Sequence, residues 1–295
     1  MSYSYKHKST IGDWIILIIL GTICLICVVP LLYCVSVSLT DPDVYVPFKF
    51  YLIPERFSLI SYQYLLSTSV FLKDVLNTAF VTVIGTVICL ITTFTMAYGL
   101  TKKDLPGKKY LMGLVIFTLV FNAGIVPNYM LIQKLGLLNS LWSLILGSAT
   151  SAWNLIVVKS FMDALPPEME ESAHLDGCNE LQTFIKIIIP LSMPSIATFT
   201  LFFAVMHWNT YFNALMYLSD SKKWTLQLLI KSIVVDSGTQ GVGGGMSAGS
   251  GETSMLPQEP IRLASVVLCM LPILVVYPYL QKYFVKGVMI GAVKG

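Results

Sequence analysis

Leu165-Pro-Pro-Glu-Met-Glu-Glu-Ser-Ala-His-Leu-Asp-Gly-Cys-Asn-Glu-Leu-Gln-Thr-Phe-Ile-Lys-Ile-Ile-Ile-Pro-Leu-Ser-Met-Pro194 is the stretch that decides how this chain is read. It is a polar, acid-bearing segment of about 25 residues between two long apolar runs, and a segment of that kind protrudes into water between membrane spans. Pro166 and Pro167 suit a helix start, where a missing N–H costs nothing, and Glu168, Glu170 and Glu171 fall in the first turn, where the helix dipole favours negative charge. Gly177 supplies the left-handed residue that ends many helices, and Asn179 followed by Gln182 has the pattern of a capping box. The sequence therefore predicts two short helices bent at Gly177 and Cys178. Leu181, Phe184, Ile185 and Ile188 recur at helical spacing and predict an apolar stripe on the second, while Pro190 and Pro194 mark the entry to the next span. Such a segment reads as a docking element; the plainer reading is an ordinary cytoplasmic loop.

Composition places the rest of the chain in a membrane. Of 295 residues, 55% are hydrophobic and only 12% charged, about half the charged share of a soluble domain, and the mean hydropathy is +0.74. Apolar stretches of about 20 residues or more fall near 14–37, 75–100, 110–130, 138–161, 191–218 and 262–285, which predicts six spans. The first is longer than a signal core and lacks small-residue cleavage chemistry after it, so it stays as a helix, with Pro30 the place for a kink. Lys6 and Lys8 precede span one, Lys102, Lys103, Lys108 and Lys109 crowd the link between spans two and three, and Lys282, Lys286 and Lys294 follow span six. With six spans these share one side, which the positive-inside rule makes cytoplasmic, together with both termini and the polar segment. The expected layout is a cytoplasmic tail 1–13, a transmembrane domain 14–285 carrying cytoplasmic helices at 166–190, and a cytoplasmic tail 286–295.

The outer connections differ in kind. Residues 40–73 are rich in proline and aromatics and predict an ordered loop with a short helix near Tyr62–Leu66, whereas 220–260 contains Gly241-Val242-Gly243-Gly244-Gly245 and predicts a mobile loop. Those glycines do not make a phosphate cradle, because no Gly-Lys-Ser/Thr ending follows. No basic patch with interleaved aromatics points to nucleic acid. Cys24 and Cys27 lie on an apolar helix with no second pair or nearby histidine, so they read as packing residues rather than a metal or redox site. No disulfide, metal site or catalytic set is expected. His174 lies four residues after Glu170, a pair that gives modest helix support, and a His174/Asp176 dyad lacks a nucleophile or metal.

Polar groups at membrane depth are expensive and face the bundle interior or a water-filled path. Span five carries His207, Trp208, Asn209, Tyr211, Phe212 and Asn213, with 209 and 213 one helical turn apart; span four offers Trp153 and Asn154, and span three Asn122. Amides donate to and accept from hydroxyls, and aromatic faces suit the C–H face of a sugar ring. Two readings stand side by side: Asn122, Trp153, Asn154, His207, Trp208, Asn209, Tyr211 and Asn213 line a substrate path, or they pack helices and bond across them.

Glu171-Ser172-Ala173, three residues, Gly177, nine residues, Ile187, one residue, then Ile189-Pro190 resembles the "EAA" signature of binding-protein-dependent ABC importer permeases, with Ser172 in place of Ala and Ile189 in place of Leu. Residues 165–218 and 283–295 are similar to the carbohydrate subfamily that includes the maltose inner-membrane subunit, and most to its polysaccharide-type branch. The resemblance implies an all-α polytopic membrane protein with six transmembrane helices in the type I importer (MetI-like) permease fold. It implies a bacterial plasma-membrane complex with two copies of an ABC ATPase, a second homologous permease and an extracellular solute-binding protein, importing an oligo- or polysaccharide. It assigns ATPase coupling to Glu170, Glu171, Ser172, Ala173, Asp176, Gly177, Leu181, Phe184, Ile187 and Pro190. In that assignment Glu171 and Asp176 make charged or capping contacts, Ala173 permits close approach, Gly177 makes the bend, and Leu181 and Phe184 fill the cleft. In the maltose branch, substrate contacts come mainly from the partner permease. The tail resembles one that reaches between the nucleotide-binding subunits. With no phosphate-binding loop in this chain, ATP and magnesium belong on the partner ATPase and this subunit is not an enzyme. The signature alone leaves an amino-acid, peptide or ion importer open, and a membrane scaffold or sensor is the alternative outside transport.

Overall fold

The computed structural model describes residues 11–236 and 258–292. Among them the fold is all-α, with no strand beyond an isolated bridge between Thr40 and Phe57. Helix α1 runs Ile11–Ser38, passing through Pro30, and α2 runs Ile60–Ser67. Helix α3 (Ser69–Thr101) is followed by α4 (Lys108–Val120), α5 (Ile125–Lys134), α6 (Trp142–Leu146) and α7 (Ala152–Asp163). The polar segment forms α8 (Glu168–Leu175), α9 (Glu180–Thr183), a π-turn at Phe184–Ile188 and α10 (Ile189–Leu191). Then come α11 (Met193–Trp208), α12 (Phe212–Tyr217), α13 (Leu226–Asp236) and α14 (Gln258–Ala292).

Helices α1, α3 and the part of α14 from Glu259 to Pro278 are each long and apolar enough to cross a membrane. Two helix pairs are apolar enough when taken together but are sharply bent: α4 meets α5 at 120°, and the stretch Glu180–Leu191 meets α11 at 80°. The span expected at 110–130 thus holds the bend between α4 and α5, and the one expected at 191–218 holds α11 and α12 with a break between them. The expected span at 138–161 consists of α6 and the 12-residue α7, which at 1.5 Å per residue extends only about 18 Å. The backbone of α14 stays helical through Gly287 and Gly291 as far as Ala292. The expectation for 220–260 lies in part on 237–257, outside the described residues.

The chain divides into two compact units. One holds α1, α2 and the start of α14 as far as Met270. The connection that follows α1 is ordered, as its prolines and aromatics predict. Tyr33 stacks on Phe50 at 5.5 Å, and the Ser38 and Tyr62 hydroxyls are 2.7 Å apart. The Tyr45 hydroxyl donates to Glu259. Burial, together with that carboxylate, holds the Tyr45 phenol above its ordinary range, so it stays a donor.

The other unit runs from Ser69 to Ser232 and takes up α14 from Leu271. Helix α3 is its spine. The buried positions Phe71, Asp74, Thr78, Val81, Gly85, Cys89, Thr93, Ala97 and Leu100 recur every three or four residues, so one face of the helix is covered along its whole length. Most are small, which lets neighbouring backbones approach closely; in lipid, where tails are as apolar as leucine, packing of this kind rather than the hydrophobic effect holds helices together. Toward one end Phe94, Ala97, Tyr98 and Leu100 meet Leu155, Val158 and Met162 of α7 and Phe199 and Phe203 of α11. Toward the other, Val81 joins Leu144, Ile145, Ala214, Leu218 and Leu228.

Candidate functional site

The polar segment folds as its local chemistry dictates. Pro167 stands at the N-cap of α8, and Glu168, Glu170 and Glu171 occupy the first turn. The helix ends in a Schellman arrangement: Gly177 has φ +81°, its N–H donates to the His174 carbonyl at 3.0 Å, and the Cys178 N–H donates to the Ala173 carbonyl at 2.9 Å. A Cβ on Gly177 would meet nothing within 4 Å, so glycine is needed for the backbone angle and not for space. The capping box is complete, with the Gln182 N–H donating to Asn179 Oδ1 at 2.9 Å and the Asn179 N–H to Gln182 Oε1 at 3.0 Å.

Beyond α9 the backbone widens into a π-turn in which the Ile189 N–H reaches back to the Phe184 carbonyl. Pro190 follows directly and has no N–H to offer the preceding turn, so the ladder changes register there. The extra residue splits the expected apolar stripe. Leu181 (66% exposed) and Ile185 (55%) face outward, whereas Ile188 is buried and Phe184 turns inward to stack on Tyr98 at 4.8 Å. Phe184, expected to fill a partner's cleft, is half-buried and stacks on Tyr98 within this chain. Ala173 is buried too, packed within this chain. Leu175, 90% exposed, is an outward apolar group that the sequence reading passed over. Ser172, Asp176 and Glu171 are exposed, Ile187 is half-buried and Pro190 is exposed beside the π-turn.

The acids divide. Glu171 faces out, while Glu170 is half-buried and accepts from Lys102 at 2.9 Å. Lys102 also pairs with Glu180 at 2.8 Å and lies 4.3 Å from the centre of the Tyr98 ring, and the Tyr98 hydroxyl donates to Glu180 at 3.0 Å. Burial works against the Lys102 charge, but its bonds to Glu180, Tyr98 and Glu170 outweigh that and hold the ammonium above its ordinary range. His174, expected to support Glu170, instead stands 3.4 Å from Glu180, because Glu170 is engaged by Lys102.

The polar residues expected along a substrate path separate into two groups. Asn122 and Asn213 come together on a cavity of about 150 Å³ with Gly124, Ile125, Asn128, Phe212, Met216 and Tyr217. The bend between α4 and α5 creates it: Asn122 Oδ1 accepts the Gly124 N–H at 2.9 Å, and Gly124 has φ +87°. Asn128, Met216 and Tyr217 were missed, since only that bend brings α5 to α12. The remaining candidates lie elsewhere. His207 is buried against Gly85, with Nε2 3.5 Å from Cys89 Sγ, and Trp208 is buried. Asn209 donates to the Val205 carbonyl at 2.9 Å and accepts from Gln227 at 3.1 Å. Tyr211 lies under Lys231, Trp153 is 54% exposed and Asn154 is half-buried. Asn209 and Asn213 are not on one helix as expected. The Asn209 amide and the Thr210 hydroxyl bond to the Val205 and Met206 carbonyls, taking up acceptors at the end of α11, and the chain restarts at Phe212.

The capped, acid-bearing helix pair thus lies between α7 and α11 in a chain of apolar and partly broken helices. The profile of the family described as "Binding-protein-dependent transport system inner membrane component" matches residues 14–290, and the chain belongs to that family. It is 45% identical over 289 residues to the polygalacturonan/rhamnogalacturonan transport system permease protein YtcP of Bacillus subtilis, covering 98% of this chain and all of that one. It is 42% identical to the protein LplC of the same organism, over 95% and 93% of the two chains. Among solved structures, a bacterial ABC transporter involved in the import of the acidic polysaccharide alginate contains a chain that superposes with a TM-score of 0.84 at 30% identity, over 95% of this chain and all of that chain.

Proposed function

We propose that the chain is a permease subunit of an ATP-driven importer of an oligo- or polysaccharide. The observation that carries the sugar assignment is the cavity where Asn122, Asn128 and Asn213 converge beside Phe212 and Tyr217. Three amides offer paired donors and acceptors to ring hydroxyls, and two aromatic faces suit the C–H side of a pyranose. The polysaccharide named for its relatives supports the same class. The cavity is smaller than a typical small-molecule cleft, so it holds part of one ring of a longer chain.

In this reading residues 166–190 dock in the cytoplasm, with both termini on that side and the loops 40–73 and 220–260 outside. Two ATPase subunits bind ATP and magnesium, a second homologous permease completes the path, and an extracellular binding protein delivers substrate. Glu171, Ser172, Leu175, Asp176 and Leu181 are the surface offered to the ATPase. Closure of the ATPase pair moves α8 and α9 together, and the covalently joined α7 and α11 change the access of the path. Substrate must bind the two states differently for that motion to drive import.

The test is copurification and turnover. The reading expects a stable complex with an ATPase whose hydrolysis rises when the binding protein is loaded with an oligosaccharide; a monomer indifferent to ATP, or stimulation by amino acids or ions instead, overturns it.

A further inference from the structure

Helix α3 is not joined directly to the docking segment in sequence, yet two side chains at its end, Lys102 and Tyr98, tie the two together. Lys102, the first residue beyond α3, bonds to Glu170 on α8 at 2.9 Å and to Glu180 on α9 at 2.8 Å. Tyr98, one turn earlier, donates to Glu180 at 3.0 Å and stacks on Phe184 at 4.8 Å. The anchor is itself fixed. Lys108 Nζ donates to the carbonyls of Thr101 at 3.1 Å and Lys102 at 2.9 Å, placing a cation on the free acceptors at the end of α3. One ammonium therefore bridges both short helices across the Gly177 bend and joins them to the helix that packs against α7 and α11.

We propose that Lys102 is a positioning residue that clasps the two docking helices into one body and passes their displacement to α3. The proposal rests on the reading of 166–190 as the ATPase-docking segment. Two features favour a clasp over an ordinary surface pair. Lys102 is three-quarters buried, with side-chain exposure of 23%, and it meets two carboxylates and an aromatic face at once, so one ordered side chain serves three contacts. The segment's other ties to the bundle are its covalent ends at α7 and α11 and the apolar contacts of Phe184 and Ile188. Without the clasp, no charged bridge spans α8 and α9 across Gly177, and α3 keeps only the Tyr98 contacts, which reach α9 and the π-turn but not α8.

The test uses the reconstituted importer with its ATPase, partner permease and loaded binding protein, reading substrate imported per ATP hydrolysed and the melting temperature of the complex. Lys102→Met leaves Glu170 and Glu180 facing each other, and both readouts fall. Lys102→Arg, which keeps the charge and the reach, restores both. The deciding variant is Lys102→Met with Glu170→Gln and Glu180→Gln: repulsion is gone, so the melting temperature recovers, but without a bridge import per ATP stays at least about tenfold below the parent. Import per ATP at the parental level in that triple variant overturns the clasp, as does failure of Lys102→Arg to exceed Lys102→Met. Gly177→Val is run alongside. If it uncouples import while the triple variant does not, only the clasp fails; if it too imports normally, the docking reading fails and the clasp with it.

Discussion

A Cβ placed on Gly85 would stand 2.5 Å from Nε2 of the buried His207, so α3 has no room for any side chain where it meets the end of α11. Both partners are enclosed and the imidazole is rigid, so relief requires backbone movement. Gly85→Ala is expected to lower the stability of the permease by about 1–3 kcal/mol, in the range for overpacked cores. A lower melting temperature in detergent checks it, and His207→Ala in the same chain should recover part of the loss.

Asn213→Ala is expected to weaken substrate handling without weakening the fold. Loss of one hydrogen bond of about 1 kcal/mol would raise the apparent KM for import about fivefold and leave maximal turnover near its parental value. Asn209→Ala is the contrast. Its amide occupies the Val205 carbonyl and Gln227, so its loss should lower the melting temperature and leave KM alone. Uptake kinetics and melts on both variants separate the two roles.

Leu175→Asp tests the outward surface of α8. With 90% of its surface exposed, Leu175 adds little to the permease alone, and its replacement should leave the isolated subunit's melting temperature unchanged. Buried against a partner, a new charge is costly, so retention of the ATPase on a purification column should drop severalfold.

The Lys102 contribution has a defined pH window. Its folded-state pKa is raised, so the stability it gives is fully present below the ordinary lysine value of about 10.4 and is lost only as pH rises through the higher folded value. The difference in melting temperature between parent and Lys102→Met is therefore expected to stay constant from about pH 6 to about pH 9. Calorimetry across that range checks it.

Much of this was legible in the residues. Capping chemistry is local, so Pro167, Gly177, Asn179 and Gln182 predicted the helix pair to within a residue. Apolar length is also local, and α1, α3 and α14 emerged from it. What failed depended on partners distant in sequence or on broken periodicity. Phe184 turns inward onto Tyr98, a partner far away along the chain that a helical period does not anticipate. The break at Asn209–Tyr211 came from side chains competing for backbone acceptors, and the amide cavity from the 120° bend after α4. The Lys102 cluster was hidden for the same reason: its members are 68 to 82 residues apart, and lysines 102, 103, 108 and 109 look alike on the page.

The docking role of 166–190 is tested most directly by import per ATP hydrolysed for Gly177→Val in the reconstituted complex. A β-branched residue at φ +81° costs on the order of 1–2 kcal/mol or more and its Cβ meets no neighbour, so the strain falls on the bend between α8 and α9. The expected result is a permease that inserts and melts near its parental temperature but imports far less substrate for each ATP its partner consumes. Parental import per ATP from that variant would contradict the docking role outright.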